Sequence, residues 1–198
     1  MPPAPRFILF DPTGDGWPRI ALPQVAFAGR SNVGKSSLLN ALVGQSRLAR
    51  VSRTPGRTRG IAFFEIEGRF AFADLPGYGY ARVSRTERDA WKELVEGYFS
   101  SCRLLRKVYL LVDSRRGPGE EERMLSVYLA GQGVPHRWVC TKLDKISRTG
   151  RAALAGLPPE TGWPAAGGTP LPVSARTREG IDRLWKDIRS SVSPVKSG

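Results

Sequence analysis

Eight consecutive residues combine two glycines, a lysine and a serine in a spacing that suits phosphate chemistry. They fit the pattern G-x-x-x-x-G-K-[ST], with backbone N–H groups that turn toward phosphate oxygens, a lysine for the β- and γ-phosphates and a hydroxyl for Mg²⁺. In order they are Gly29, Arg30, Ser31, Asn32, Val33, Gly34, Lys35 and Ser36. The motif predicts a nucleotide-binding loop, with Mg²⁺ as cofactor and Ser36 as one of its ligands.

A D-x-x-G segment follows farther along the chain and offers the remaining phosphate contacts. Its residues are Asp74, Leu75, Pro76 and Gly77. Asp74 can hold Mg²⁺ through a water molecule, and the Gly77 N–H can bind the γ-phosphate. The segment is weak as a lone signal, but it stands where a nucleotide triphosphatase needs it, so we predict Lys35 and Gly77 as catalytic residues.

Two further segments point to the base. The first consists of Thr141, Lys142, Leu143 and Asp144, and the second of Val173, Ser174 and Ala175. The Asp144 carboxylate can accept both the N1–H and the N2 amino protons of guanine, donors that adenine does not offer together. The Lys142 stem can lie along the purine, and the second segment can offer a backbone N–H to the guanine O6. These segments predict specificity for GTP and GDP.

The segment Arg50–Gly60 is rich in Pro, Gly, Ser, Thr and Arg, and we predict a mobile switch loop there. Thr58 is the candidate catalytic hydroxyl that joins the Mg²⁺ shell only while the γ-phosphate is present. Thr54 is the competing choice, because either hydroxyl can be ordered by the metal. The predicted nucleotide contacts of this loop are Gly56, Arg57, Thr58, Arg59 and Gly60.

Short apolar runs alternate with helical periodicity, which predicts an α/β fold of the P-loop NTPase type. We expect about six strands, mostly parallel with one antiparallel edge strand, and helices on both faces. The predicted strands are Gln24–Ala28, Ile61–Glu65, Arg69–Asp74, Lys107–Asp113, His136–Thr141 and Leu171–Ser174. The predicted helices are Lys35–Val43, one opened by a capping box of Ser84 and Glu87, one from Glu120 towards Gly131, Lys145–Ala155 and Thr177–Ser190.

Length and composition predict one domain with an unusual charge. We expect a loose lead-in at residues 1–22, a single GTP-binding domain at 23–190 and a flexible tail at 191–198. The chain of 198 residues has 31 basic and 18 acidic side chains, a net charge of +13. Such a field attracts polyanions, so nucleic acid is the expected partner, although biased genomic composition is the alternative. Without a bilayer-length apolar run or a signal pattern, we expect a cytoplasmic protein with no membrane partner.

The whole constellation resembles the translation-factor-type GTPases, and more narrowly the bacterial ribosome-assembly GTPases of the EngB family, also called YihA or YsxC. The resemblance runs from about Ile20 to Ile188 and includes the loop Thr54–Thr58 and the run Asp74–Ala81. It implies a one-domain GTPase that acts in late assembly of the large ribosomal subunit, so we expect contacts with that subunit or its precursor through rRNA and ribosomal proteins. We also expect a monomer. It also implies a link to cell division and septation.

Two residues shape the expected mechanism. Tyr78 occupies the position where Ras-type GTPases carry a water-orienting Gln, so unassisted hydrolysis is expected at or below about 10⁻⁴ s⁻¹. Tyr78 can instead be retracted into an apolar pocket. Asn32 suggests a second cation, because some GTPases of this wider class bind K⁺ beside an Asn at this position. His136, the only histidine, is expected to serve packing rather than catalysis.

Rival functions remain open on sequence alone. A P-loop ATPase or small-molecule kinase would use the loop at Gly29–Ser36 equally well. Asp144 argues against it, and the absence of an obvious substrate lid also counts against a kinase. The other rival is a non-catalytic RNA-binding protein that keeps GTP for stability. Competition between ATP and GTP for binding tests the ATPase or kinase alternative. Hydrolysis rates with and without ribosomal particles test the non-catalytic alternative.

Overall fold

A computed structural model describes residues 5–14, 17–45, 60–79, 84–155 and 166–193. The strands in chain order are β1 Pro5–Asp11, β2 Gln24–Gly29, β3 Ile61–Ile66, β4 Phe70–Asp74, β5 Leu105–Asp113, β6 His136–Thr141 and β7 Leu171–Pro172. The helices are α1 Lys35–Val43, α2 Arg85–Ser101, α3 Glu120–Gly131, α4 Arg148–Ala155 and α5 Ile181–Val192. Of the helices described, none is long and apolar enough to span a membrane.

The strands form one sheet with the order β1-β3-β4-β2-β5-β6-β7. β2 pairs in parallel with β4 and β5, and β5, β6 and β7 continue the parallel arrangement. β3 runs antiparallel to both β4 and β1. The α/β fold with a mostly parallel sheet is therefore confirmed.

Two apolar cores cover the two faces of the sheet. α1 and α5 pack on one face, over side chains such as Phe27 and Phe72. α2 and α3 pack on the other face, over β2, β4, β5 and β6. β2 lies in the middle and all six of its residues are buried, as expected for a parallel strand covered on both sides.

The N-terminal segment differs from the predicted loose lead-in at residues 1–22. Pro5–Asp11 forms strand β1, which pairs with β3 and gives the sheet seven strands instead of about six. The antiparallel strand β3 is consequently the second strand from the edge. The Pro- and Gly-rich surroundings hid this strand, because its pairing with β3 joins residues 50 to 61 positions apart in sequence.

Local signals account for most helix boundaries. Ser84 and Glu87 form the predicted capping box at the start of α2, with the Glu87 N–H donating to Ser84 Oγ at 3.2 Å. α5 begins at Ile181, four residues later than predicted, because Gly180 has a φ of 77° and cannot be part of the helix. It continues to Val192, so Ser191 belongs to the helix rather than to the predicted tail at 191–198.

Candidate functional site

The predicted site residues come together at the carboxyl ends of the parallel strands. The loop Gly29–Ser36 leaves β2 and opens α1, Asp74 ends β4, and Lys142–Asp144 follow β6. Ligands of open α/β sheets bind at this edge, because the loops there are free of the sheet's hydrogen-bond ladder. The fold therefore brings these three distant motifs together at one cleft.

Loop Gly29–Ser36 has the backbone form that a phosphate cradle requires. Gly34 has a φ of 103°, a left-handed conformation in which a side chain would be strained, and it caps the start of α1. Lys35, the first residue of α1, forms an ion pair with Asp74, and both side chains are largely buried. A cation and a carboxylate thus meet where the nucleotide phosphates and the metal are expected.

The residues present fit an Mg²⁺ ion. Ser36 follows Lys35 in α1, and Asp74 lies against that lysine, so a hydroxyl and a carboxylate come from the two elements that meet at Lys35. Mg²⁺ typically takes one or two protein oxygens and completes its shell with water and substrate phosphate. Bound there, the ion would neutralise charge on the phosphates. Within the described ranges no group of three or more His, Cys, Asp or Glu side chains could hold a metal by itself.

A cavity of about 190 Å³ lies beside the loop and has the predicted base-reading residues in its wall. Asp144 lines it, and its Oδ1 accepts a hydrogen bond from Ser174 Oγ at 2.8 Å. That bond, with the nearby cations Lys145 and Arg176, holds the pKa of the Asp144 carboxyl below its ordinary value. The carboxylate is therefore ionised and oriented as an acceptor, the form that the two guanine donors need.

Three predicted contacts turn their side chains inward. Leu143, Val173 and Thr141 are buried. Thr141 Oγ1 lies 2.6 Å from the carbonyl oxygen of Val33 and 3.1 Å from that of Val112, and its single hydrogen serves both. Thr141 thus ties the phosphate loop to β5 and β6, so its side chain braces the site instead of reading the base.

Lys142 joins the phosphate loop to the end of β5. It has a φ of 58°, and its Nζ donates to the carbonyl oxygen of Asn32 at 2.7 Å and to Asp113 Oδ2 at 2.9 Å. The hydrogen bonds from Arg115 and Lys142 hold the pKa of Asp113 well below its usual range. Lys142 also lines the cavity that holds Asp144, and the contact of its stem with the purine stays a prediction.

The segment after Asp74 packs directly on the phosphate loop. A side chain on Gly77 would lie 3.2 Å from Ser31 Oγ, and the Ser31 N–H donates to the Tyr78 carbonyl at 2.8 Å. The Tyr78 ring is buried and meets the Trp91 ring edge-on, with 5.2 Å between centroids. Burial, together with Glu122 and Glu121, raises the pKa of the Tyr78 hydroxyl well above its ordinary value. Tyr78 is thus retracted in this structure.

Most predicted nucleotide contacts of the switch loop lie outside the described residues. These are Gly56, Arg57, Thr58 and Arg59, together with the alternative Thr54. Gly60 is described and lies against β1, where an added side chain would meet the Asp11 carbonyl at 2.4 Å. Gly60 therefore holds the end of β1, so its predicted role at the nucleotide stays a prediction.

Two residues near the site were not predicted from the sequence. Arg176 lines the cavity, and its Nη1 lies 3.9 Å from Asp144 Oδ2. Asp113 takes part in the Lys142 contact described above. Their signals were present: Arg176 directly follows Ala175, and Asp113 ends a parallel strand whose carboxyl end faces the cleft.

Comparisons with known proteins agree with this geometry. The family model described as 50S ribosome-binding GTPase matches residues 24–142. A probable GTP-binding protein EngB of Anaeromyxobacter dehalogenans is 44% identical over 188 residues, covering 89% of this chain and 87% of that protein. The one of Gemmatimonas aurantiaca is 46% identical over 174 residues, covering 87% and 84%, respectively. The one of Pelotomaculum thermopropionicum is 53% identical over 136 residues, covering 69% of each.

Solved structures show the same fold at lower identity. A crystal structure of a probable GTP-binding protein EngB has a TM-score of 0.66 at 24% identity and covers 85% of this chain and 98% of that one. Era in complex with MgGDPNP and a 16S ribosomal RNA fragment has a TM-score of 0.64 at 21% identity and covers 89% of this chain and 59% of that one. With relatives of this identity and coverage, the chain belongs to the EngB family of GTP-binding proteins and carries a GTPase domain.

Proposed function

We propose that this protein is a slow GTP-hydrolysing switch that assists late assembly of the large ribosomal subunit, and that its loss disturbs cell division and septation. Its working unit is a single GTP-binding domain at residues 23–190, acting as a monomer in the cytoplasm, where subunits are assembled. The observation that carries GTP use is the ionised Asp144 held by Ser174 beside loop Gly29–Ser36. The family description as 50S ribosome-binding GTPase, together with the net charge of +13, supports the ribosomal partner.

The main predicted site residues have distinct roles in the proposal. Lys35 and the N–H groups of the loop bind the phosphates, Ser36 and Asp74 hold Mg²⁺, and Asp144 reads guanine. Gly77 contacts the γ-phosphate when GTP is bound. Thr58 is proposed as the hydroxyl that completes the metal shell in the GTP state.

The unassisted rate is expected to be low because the residue after Gly77 is Tyr78, whose ring cannot orient the attacking water as a Gln does. Tyr78 stands in that position and is packed on Trp91. GTPases that do have a Gln there hydrolyse GTP at only about 10⁻⁴ s⁻¹ when unassisted. Stimulation must then come from the ribosomal partner or from an additional cation.

Asn32 is proposed as a ligand of K⁺ beside the phosphates. Its φ is 64°, its carbonyl is held by Lys142, and the residue is exposed at the rim of the loop. An amide oxygen is a ligand that K⁺ accepts. GTP hydrolysis should therefore be faster in KCl than in NaCl at equal ionic strength, and equal rates would exclude the K⁺ site.

The decisive measurement is steady-state GTP hydrolysis with and without precursor and mature large ribosomal subunits, alongside co-sedimentation in GTP, GDP and no nucleotide. Nucleotide-dependent sedimentation and a stimulated rate are expected. Binding without any stimulated turnover would favour a non-catalytic RNA-binding protein. Intact GTP affinity with no sedimentation in any state would overturn the ribosomal role, and competition of ATP with GTP would overturn the guanine specificity.

A further inference from the structure

A second cavity, of about 380 Å³, lies between loop Gly29–Ser36 and the loop that joins β5 to α3. We call it the arginine pocket, after Arg30, Arg115 and Arg116 in its wall. Residues 30–33 of the phosphate loop line this pocket, whereas Lys35, Ser36 and Asp74 do not. Lys142 is common to this pocket and to the base cavity, so its stem separates the two.

The carboxylates in the wall of the arginine pocket already have partners. Asp113 accepts hydrogen bonds from Arg115 Nε at 2.9 Å and Nη2 at 2.6 Å, and from Lys142. Glu122 is buried and accepts a hydrogen bond from the Gly119 N–H at 2.8 Å. Four cations line the pocket against these two carboxylates, so its wall carries net positive charge.

Two of the arginines have guanidinium groups available to a ligand. Arg116 is exposed, and within the described ranges its side chain has no hydrogen bond or ion pair. Arg30 is about half exposed, and its ion pair with Glu121 is long, 3.7 Å from Nε to Oε2. An exposed pair of this kind contributes little stability, so an anion with better geometry can displace Glu121.

We propose that the arginine pocket binds a backbone phosphate of RNA, with Arg116 and Arg30 as its ligands. The inference rests on the proposed ribosomal function and adds the surface through which it acts. Guanidinium groups bind phosphate oxygens through two parallel hydrogen bonds, and the +13 field draws a polyanion to the protein. Gly117 lines the pocket, and no atom lies within 4 Å of the position that its side chain would take, which leaves room for the phosphate.

The pocket also lies next to the segment that follows Gly77. Arg30 pairs with Tyr78 in a parallel β-bridge, and a side chain on Gly79 would lie 2.9 Å from Arg30 Nε. A phosphate that replaces Glu121 as the partner of Arg30 therefore changes the contacts of Tyr78 and Gly79. These residues directly follow Gly77, which is proposed to contact the γ-phosphate. RNA affinity and nucleotide state are linked through this contact, and the linkage is reciprocal.

The test compares Arg116→Glu with Arg69→Glu. Arg69 is an exposed arginine in the β3–β4 turn, at the other end of the sheet, so both variants change the net charge equally. Affinities are measured with a 5′-fluorescein RNA hairpin and with large ribosomal subunits, in the presence of a non-hydrolysable GTP analogue. Arg116→Glu should lower both affinities about tenfold or more, and Arg69→Glu less than about threefold.

Two further variants extend the test. One is expected to raise RNA affinity, and the other controls for misfolding. Glu121→Gln removes the carboxylate that competes for Arg30, so it should raise RNA affinity. Arg116→Gln is a milder change, and thermal unfolding checks that this variant is folded. The logarithm of its RNA association constant should fall less steeply with the logarithm of salt concentration, by about one unit of slope. If wild type binds and Arg116→Glu matches Arg69→Glu, the pocket is excluded while the ribosomal function stands. If wild type binds neither RNA nor subunits, both proposals fall.

Discussion

Clusters of carboxylates and cations lie at both ends of the parallel sheet, and they differ in what surrounds them. At the carboxyl ends, Asp74 and Asp113 are the last residues of β4 and β5, and Asp144 follows β6. Asp144 and Asp113 each line a cavity there. Towards the amino ends, Asp187 of α5 accepts hydrogen bonds from Lys107 at 3.1 Å, Tyr109 at 2.9 Å and Arg137 at 2.7 Å. All four residues of this second cluster lie on regular helix or strand.

The comparison shows that charge alone does not identify a ligand site. Burial by itself would raise the pKa of Asp187, but the hydrogen bonds from Tyr109 and Lys107 outweigh it and the pKa lies below the ordinary value. Its partners are all protein groups, so the cluster fastens α5 to β5 and β6. At the carboxyl ends, by contrast, the turns leave backbone N–H groups and space unfilled by side chains, and a ligand can enter.

The largest effect is expected from Asp144→Ala at the carboxyl ends. Each hydrogen bond from guanine to an ionised acceptor is worth about 1.5–3 kcal/mol, so GDP affinity should fall by about 100-fold or more. Titration with a fluorescent GDP derivative measures the loss. Asp89→Ala, an exposed change of the same charge on α2, should leave GDP affinity within about twofold. Equal losses in both variants would remove Asp144 from the base site.

A smaller effect, on stability instead of binding, is expected from Asp187→Ala. The change leaves Lys107, Arg137 and the Tyr109 hydroxyl without their acceptor, so the free energy of unfolding should fall by about 2 kcal/mol. Urea denaturation measures this loss, and Asp187→Asn should lower the free energy of unfolding by less because it keeps an acceptor oxygen. GDP affinity should stay within about twofold in both. A loss of GDP affinity comparable to that of Asp144→Ala would contradict the division between the two ends.

The smallest effect concerns pH and His136, the first residue of β6. Its Nε2 lies 2.8 Å from the buried Ser126 Oγ, and burial lowers the pKa of the imidazole below 6.5. The unfolded chain therefore takes up the proton first, so stability is complete above about pH 6.5 and declines as the pH falls through the folded-state pKa. Urea denaturation at pH 7.5 and 5.5 should show this decline in wild type and a weaker one in His136→Gln. Equal declines would exclude His136 as its source.

Much of the fold could be predicted because its signals are local. The capping box at Ser84 starts α2, and the buried strands β2 and β5 appear as short apolar runs. β1 was missed because its pairing with β3 is a long-range contact, and a strand of seven residues flanked by Pro and Gly has no clear periodicity. Long-range pairing overrode the local composition there.

The sequence by itself identified the phosphate loop, Asp74 and Asp144 as parts of the site. Each belongs to a motif of neighbouring residues, whose backbone form follows from its own glycines and its position in the chain. Tertiary structure alone decided what joins those motifs. Thr141 reaches the Val33 carbonyl across 108 positions, Ser174 orients Asp144 across 30, and Arg30, Arg115 and Arg116 meet at one pocket only when β2 and β5 are paired. Such contacts depend on the register of the sheet, which no short segment of the chain specifies.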